Sequence, residues 1–485
     1  MPKRIRILLV TCMMIFSLLG LQIPTEAATP KLEKLNTSIE KIVKSKMANA
    51  EVSLAVRDEK GKVIYNLNGN RQQKPASNMK LLTGAAALTE LGLDYRFLTN
   101  IYTTGKVKNG ILHGDLYIQG KGDPTLTIED LEEFARFFAY SGLKKIDGRI
   151  VADDFWFDQD LLTPDIKKED ESYYYAAPVT ALTMSPDSDY DSGSIIVEAI
   201  GKKVGQKPKI KITPELGDLK IENNAKTVYA NQYSTLKIKR EYRTNKITIS
   251  GYLPLGKDVK EWITVQNPTE HTITLFKHVL EKYGIQFSKE EFYREKTPTK
   301  ARLIVQKQSI PLAEIMIPYM KLSNNSIADI LVKTMGKVRM DQGSTKAGLS
   351  VLKQYAYSRH LRIDHWTFED GSGMSHNNRV SSVDLTHLLF VVQKEKRWYG
   401  TFFDSLPVAA HSDRITGGSL RNRFTTPLTR EKVFAKTGAI EGVNTLSGYL
   451  IGKSGKKYIF SILVQNQKGT VPAIDEIVEV MAEEL

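Results

Sequence analysis

Ser77 and Lys80 lie three positions apart in Ser77-Asn78-Met79-Lys80, immediately before the apolar run Leu81 to Leu88. If that run is a buried helix, three residues make almost one turn, and the hydroxyl and the amine share a face. Burial disfavours a charged ammonium, and a second cation nearby disfavours it further. Lys80 can then take the serine proton, while helix N–H groups around Ser77 favour developing negative charge. The spacing alone is also met by a helix-start serine beside a solvated lysine.

Two further motifs follow in order. Ser323-Asn324-Asn325 falls between two predicted helices. Ser323 can relay a proton between an amine and a leaving group, and Asn325 can donate to a substrate amide carbonyl while accepting from a lysine; equally, Ser323 or Asn324 can cap the next helix. Lys436-Thr437-Gly438 enters an extended stretch. A glycine there lets another chain approach, and the lysine and threonine can address a terminal carboxylate. Alone, it reads as a strand-end lysine and a turn glycine. Together, the three motifs describe an acyl-transfer site without histidine. His360, His365 and His376 have neither metal nor triad spacing, and His271 with His278 is expected to decorate a helix.

The elements that must position these groups come from both ends of the chain. Leu32, Leu35, Ile39 and Ile42 recur at helical spacing. Val52 to Val56 and Val63 to Leu67 form a predicted hairpin, as do Asn444 to Ile451 and Tyr458 to Val464, followed by a helix from about Pro472 to Glu483. One sheet built from both ends, with the terminal helices on one face, is expected. Residues from about 96 to 290 instead hold short strands, including Phe97 to Thr103, Leu112 to Gln119, Ile150 to Asp153, Ile195 to Ala199 and Ile247 to Ile249. Helices are expected at about Ile128 to Ser141 and Thr272 to Lys282. This stretch reads as an insertion between the first two motifs. The return is helical: from Ser309-Ile310-Pro311-Leu312, with the proline in the first turn, to about Met320, from Asn325, and from Ser381-Ser382-Val383-Asp384 through Val391.

Lys3, Arg4 and Arg6 precede an apolar run from Ile7 to Leu21, and Thr25-Glu26-Ala27 offers small residues for cleavage after Ala27. An export signal at residues 1–27 is the expected reading, with a retained anchor as the alternative; the run is about 15 residues where a span needs about 20. The only cysteine, Cys12, lies in this segment. An exported chain without thiols excludes disulfides, thiolate metal sites and Cys–His catalysis. Sixty-eight basic against 55 acidic residues give a formal charge of +13. No nucleic-acid motif accompanies that surplus, which fits a solvated surface or peripheral contact with anionic membrane or wall polymer.

The joint motifs resemble the class C low-molecular-mass penicillin-binding proteins, D-alanyl-D-alanine carboxypeptidases and endopeptidases of the serine peptidase S13 family. Further stretches carry the likeness: Arg71 to Leu88, Gly120 to Leu126, Tyr174, Ala176 and Pro178, Asp370-Gly371-Ser372-Gly373-Met374-Ser375, and Leu406-Pro407-Val408-Ala409. The resemblance implies an α+β transpeptidase fold, an antiparallel sheet flanked by helices, with nested strand-rich insertions. The catalytic domain is expected at 28–95 and 291–485, one inserted domain at 96–165 and 262–290, and another at 166–261 nested inside it. It further implies Ser77 as nucleophile, Lys80 as base, Ser323 and Asn325 as the second element, and Lys436, Thr437 and Gly438 as the carboxylate-binding strand. Backbone N–H groups of Ser77 and Ala439 would form the oxyanion hole. Peptidoglycan stem peptides and β-lactams are the implied ligands, with neither metal nor organic cofactor. A β-lactamase, a transpeptidase, a relaxed-specificity esterase or amidase, and a noncatalytic wall-binding protein remain as rivals. Ala410 stands where the family commonly has glycine, Asp329 where glutamate is usual, and Met184-Ser185-Pro186-Asp187 where asparagines are usual; these bear on support and substrate fit.

Overall fold

The computed structural model describes residues 30–215, 219–289 and 291–485, so the expected export signal and Cys12 lie outside the described residues. One five-stranded antiparallel sheet joins both chain ends, in the order Val63–Leu67, Glu51–Arg57, Lys457–Gln465, Val443–Ile451, Val433–Ile440. Its three central strands are buried along almost their whole length. A strand covered on both faces reads as a continuous apolar run, and Tyr458 to Val464 has that character. Leu54, Leu446, Ile462 and Val464 pack under the helices Pro30–Lys46 and Val471–Glu484, with Leu35, Ile39, Ile474, Ile477 and Met481. Tyr449, Ile459 and Leu463 point into a second core on the other face.

The helix Met79–Glu90 runs through that second core, and every residue from Met79 to Leu88 is buried. A helix apolar all round must be surrounded. Leu312–Lys321, Asn325–Met340, Thr345–Ser358 and Ser382–Val392 surround it. Ser381 caps the last of these through Asp384 N. Among the described residues no helix is long and apolar enough to cross a membrane.

The insertion has its own sheet, ordered Phe292–Arg294, Ile150–Asp153, Leu116–Gly120, Leu98–Thr103, Arg302–Gln308. Ile128–Tyr140 and Pro268–Lys282 contribute to its core. The sheet is complete only at Gln308, so the expected boundary at 290/291 is corrected. Arg302–Gln308 pairs antiparallel with Leu98–Thr103, and that ladder binds the return segment to the insertion. The single strand expected from Leu112 to Gln119 is two, Ile111–His113 and Leu116–Gly120. Gly114 breaks it, with φ +151° in close contact with Gly105.

A nested unit has a separate core that includes Ile195, Val197, Ile247, Ile249, Leu253 and Ile263. Its strands Ser194–Ile200 and Asp258–Thr264 pair from Ser194↔Thr264 to Ile200↔Asp258. The expected boundary at 261 cuts that strand and is also corrected, because the ladder continues to Thr264. The helix expected from Thr272 starts at Pro268, capped by the Asn267 side chain on Thr269 N and Glu270 N. His271 lies on this helix as expected, buried in its first turn, and burial holds its imidazole down to about 4.

The terminal helices should act as structural walls of the sheet. Ile477→Ala is expected to cost about 2–5 kcal/mol, whereas Leu303→Ala, at 46 % exposure, should stay within about 0.5 kcal/mol. Urea unfolding of both variants measures the contrast.

Candidate functional site

Ser77 lies in the 3₁₀ turn Ala76–Asn78 that leads directly into the central helix. That turn is strained, since Ala76 has φ +45°, where a Cβ is unfavourable. Its shape is held from outside. Thr445 Oγ1 donates to Pro75 O at 2.9 Å, and Gly373, at φ +90°, packs so close that a Cβ would fall 1.9 Å from Ala76 O.

Lys80 is completely buried one turn later. Its Nζ lies 3.1 Å from Ser77 Oγ, 2.5 Å from Asn325 Oδ1 and 2.7 Å from Ser372 O. Three acceptors match the three protons of an ammonium. In the neutral amine, Asn325 and Ser372 hold the two remaining protons and the lone pair faces Ser77. Burial lowers Lys80 to about 8, opposed by the carboxyls of Asp329 and Asp370. The amine is therefore poised near neutrality to exchange a proton with the serine.

The three residues of the second motif do different things. Ser323 adopts φ +62° at the junction of two helices, and its Oγ accepts from Lys436 Nζ at 2.7 Å. Asn324 caps Asn325–Met340 through Ile327 N, and its Nδ2 donates to Asp189 O, Tyr190 O and Asp191 Oδ1 in the insertion. Asn325 accepts from Lys80 and donates to Tyr175 O of the insertion at 2.7 Å. Capping and chemistry thus fall on adjacent residues.

Lys436, Thr437 and Gly438 lie within the edge strand Val433–Ile440. Lys436 is fully buried and also donates to Thr437 O at 2.8 Å. Burial, and then the neighbouring Lys80, holds its amine well below the usual lysine range. Thr437 Oγ1 is 2.8 Å from Ser419 Oγ. Gly438 is needed for close approach: a Cβ there would fall 2.2 Å from Thr445 Oγ1 and 2.9 Å from Ser77 N. Ser77, Ser323, Asn325 and Ala439 line one cleft of about 630 Å³ with Tyr174 and Tyr175. At its rim, Lys167 of the insertion pairs with Glu441 at 2.6 Å. A larger cavity, about 820 Å³, is bordered by Arg240 and Ser350. It lacks a poised serine, because Ser350 donates within its own helix to Lys346 O.

Sequence reasoning missed the carboxylates behind Lys80 as electrostatic groups, although Asp329 and Asp370 both stood in noted stretches. Asp370 accepts from Gly373 N and Ser375 N, each at 2.6 Å, and from Asn378 Nδ2 at 2.9 Å. Asp329 accepts from Thr163 Oγ1 at 2.7 Å. Burial, reinforced by Asp370, pushes its carboxyl up to about 7. One turn further along the helix, Lys333 donates to Asp158 Oδ1 and Asp160 O. Lys321, also unremarked in sequence, ties down the Leu406 loop by donating to Leu406 O and Thr416 O. Ala410 in that loop takes φ +50°, a conformation glycine adopts without penalty. Its neighbour His411 accepts only from Asp413 N at the surface among the described contacts.

The comparisons bear on family and fold. The model of the D-Ala-D-Ala carboxypeptidase 3 (S13) family matches residues 35–484. The D-alanyl-D-alanine carboxypeptidase of Actinomadura sp. (strain R39) is 34% identical over 453 residues, 92% of this chain and 84% of that protein. The D-alanyl-D-alanine carboxypeptidase DacB of Haemophilus influenzae is 24% identical over 414 residues, 84% of this chain and 83% of that one. The crystal structure of penicillin-binding protein 4 from Haemophilus influenzae matches in fold, with a TM-score of 0.78 at 22% identity, over 91% of this chain and 98% of that one.

Asp329 supplies a stability test. Its carboxyl is raised from 3.8 to about 7 in the folded state, so the folded chain binds its proton more tightly than the unfolded chain. That difference has no effect below about 4, and it progressively destabilises the fold as pH rises to about 7. Asp329→Asn should therefore gain on wild type across that window, by about 1–3 kcal/mol, in urea midpoints measured against pH.

Proposed function

The chain belongs to the D-Ala-D-Ala carboxypeptidase 3 (S13) family, serine hydrolases of the penicillin-binding-protein fold that act on peptidoglycan, and from that premise we propose a serine-type D-alanyl-D-alanine carboxypeptidase. The observation that carries the proposal is the Lys80 amine, 3.1 Å from Ser77 Oγ with its other two contacts on Asn325 and Ser372. In the proposed reaction, Ser77 Oγ attacks the carbonyl of the penultimate D-alanine of a stem peptide and its proton passes to Lys80. The N–H groups of Ser77 and Ala439 receive the negative charge of the tetrahedral oxygen. Ser323 gives its hydroxyl proton to the leaving amine and is made good by the proton that Lys80 took, so none is gained or lost overall, while Lys436 Nζ, donating to Ser323 Oγ at 2.7 Å, steadies that oxygen. Terminal D-alanine departs, and water then hydrolyses the acyl-Ser77 ester.

Lys436 and Thr437 are the groups proposed for the terminal carboxylate. Asn325 Nδ2 is already engaged by Tyr175 O, so a substrate amide reaching Asn325 must share or displace that contact. The open cleft also suits a larger leaving amine, which is the basis for adding DD-endopeptidase activity on cross-links. A β-lactam presents the same carbonyl in a strained amide and would acylate Ser77, with its tethered leaving group obstructing water. The setting proposed for this chemistry is extracytoplasmic, on the wall or the outer face of the membrane.

Mass spectrometry after incubation with diacetyl-lysyl-D-alanyl-D-alanine and with benzylpenicillin tests the assignment. D-Alanine release and a penicilloyl adduct on the Ser77 peptide are expected in wild type, and neither in Ser77→Ala; an adduct elsewhere, or no product in wild type, would refute it. Acylation should rise with pH and level off above about 8, because only the neutral amine accepts the proton. Asp329→Asn removes a charge that favours the ammonium, so the limb should move about half a unit to one unit toward acid.

A further inference from the structure

The nested unit carries a concentrated basic surface at the end away from the cleft. Three segments, 201–209, 224–237 and 251–258, converge there through backbone hydrogen bonds. Gly201 N donates to Lys257 O, Gly205 N to Thr227 O, Leu255 N to Val228 O, and Thr235 N to Tyr252 O, at 2.8–3.0 Å. Together these segments hold seven lysines and a single carboxylate, Asp258, a far stronger bias than the 68 to 55 of the whole chain. All seven lysines are exposed.

Aromatic groups stand among them. Tyr233 is 92 % exposed, Tyr229 65 % and Tyr252 52 %, with Leu255 at 38 %. A cluster of large exposed apolar groups rimmed by charge marks an interaction surface. The opposite end of the same unit is tied to the segment that reaches the cleft: Thr264 N donates to Ser172 O, Arg240 N donates to Ser172 Oγ, and, three residues on, Tyr175 O accepts from Asn325 Nδ2. The strand Asp258–Thr264 separates the two ends by roughly 20 Å.

We infer that this tip docks on an anionic lipid bilayer, with Tyr229, Tyr233 and Tyr252 in the headgroup layer and Lys202, Lys203, Lys226 and Lys257 on lipid phosphates. Charge complementarity selects an anionic partner, since lysines near such a surface each contribute attraction that falls off within a Debye length. The tyrosines select a bilayer over a soluble polyanion, because a phenol ring suits the boundary between headgroup and hydrocarbon, whereas a soluble polyanion satisfies the lysines alone. Docking would hold the cleft at a set height above the membrane.

Sedimentation of the protein, taken without residues 1–27, with vesicles tests this, using phosphatidylcholine alone and equal parts phosphatidylcholine and phosphatidylglycerol at ~0.1 M salt. Wild type should partition onto the anionic vesicles only. Changing Lys202, Lys203 and Lys257 to Gln should weaken that partition about fivefold per lysine, and Tyr229→Ser with Tyr233→Ser and Tyr252→Ser should weaken it at least about tenfold. Hydrolysis of a soluble peptide and the melting temperature should be unchanged in both, since every altered side chain is exposed. Equal partition onto both vesicles, no partition onto either, or a tyrosine variant that partitions like wild type would overturn the inference. So would soluble poly(glycerol phosphate) binding that displaces the vesicles and ignores the tyrosine changes.

Discussion

A lysine amine removed from water governs this molecule. Leaving an ammonium buried and unpaired would be prohibitive, so each Lys80 proton needs an acceptor, and no single element supplies them. One comes from the 3₁₀ turn at Ser77, one from the start of Asn325–Met340, and one from the Ser372 carbonyl. Bringing three distant stretches of chain to one nitrogen explains why the central helix is enclosed on every side. It also accounts for the strained backbone at Ala76, next to Ser77, while that at Ser323 presents a hydroxyl to Lys436 instead.

The electrostatic balance is equally specific. Burial of Lys80 favours the neutral amine; Asp329 and Asp370 favour the ammonium. Neither side dominates, and Lys80 settles near about 8. A deeper apolar pocket would give a permanently neutral amine, able to accept a proton but slow to hold it. A more acidic surround would give a permanent cation, unable to accept one. The carboxyls behind Lys80 are thus as much a part of its basicity as burial is.

The local half of this site was legible in the sequence. Ser77 and Lys80 share one turn, and Lys436 through Gly438 lie along one strand, so spacing alone places their side chains. The sheet from both chain ends was legible because Val52 to Val56 and Tyr458 to Val464 are nearly continuous apolar runs. Ser372 O and the Asp329–Asp370 pair depend on contacts more than two hundred residues from Lys80, and nothing in local spacing reports which backbone carbonyl faces a lysine. Domain edges failed for a related reason. Gln308 and Thr264 end their domains by pairing with strands far up the chain, and composition carries no mark of that partner. Helical period does not by itself distinguish a buried imidazole from a solvated one, so the burial of His271 was not legible.

Asn325, Asp329 and Lys333 follow one another at intervals of a turn along a single helix, and each has a partner in the insertion: Tyr175 O, Thr163 Oγ1, and Asp158 with Asp160. The first two also act on Lys80. Proton affinity at the lysine and adhesion of the insertion are consequently linked quantities, and linkage runs in both directions. A proton arriving at Lys80 changes how firmly the loop 158–175 is held, and a load on that loop changes how readily Lys80 takes a proton.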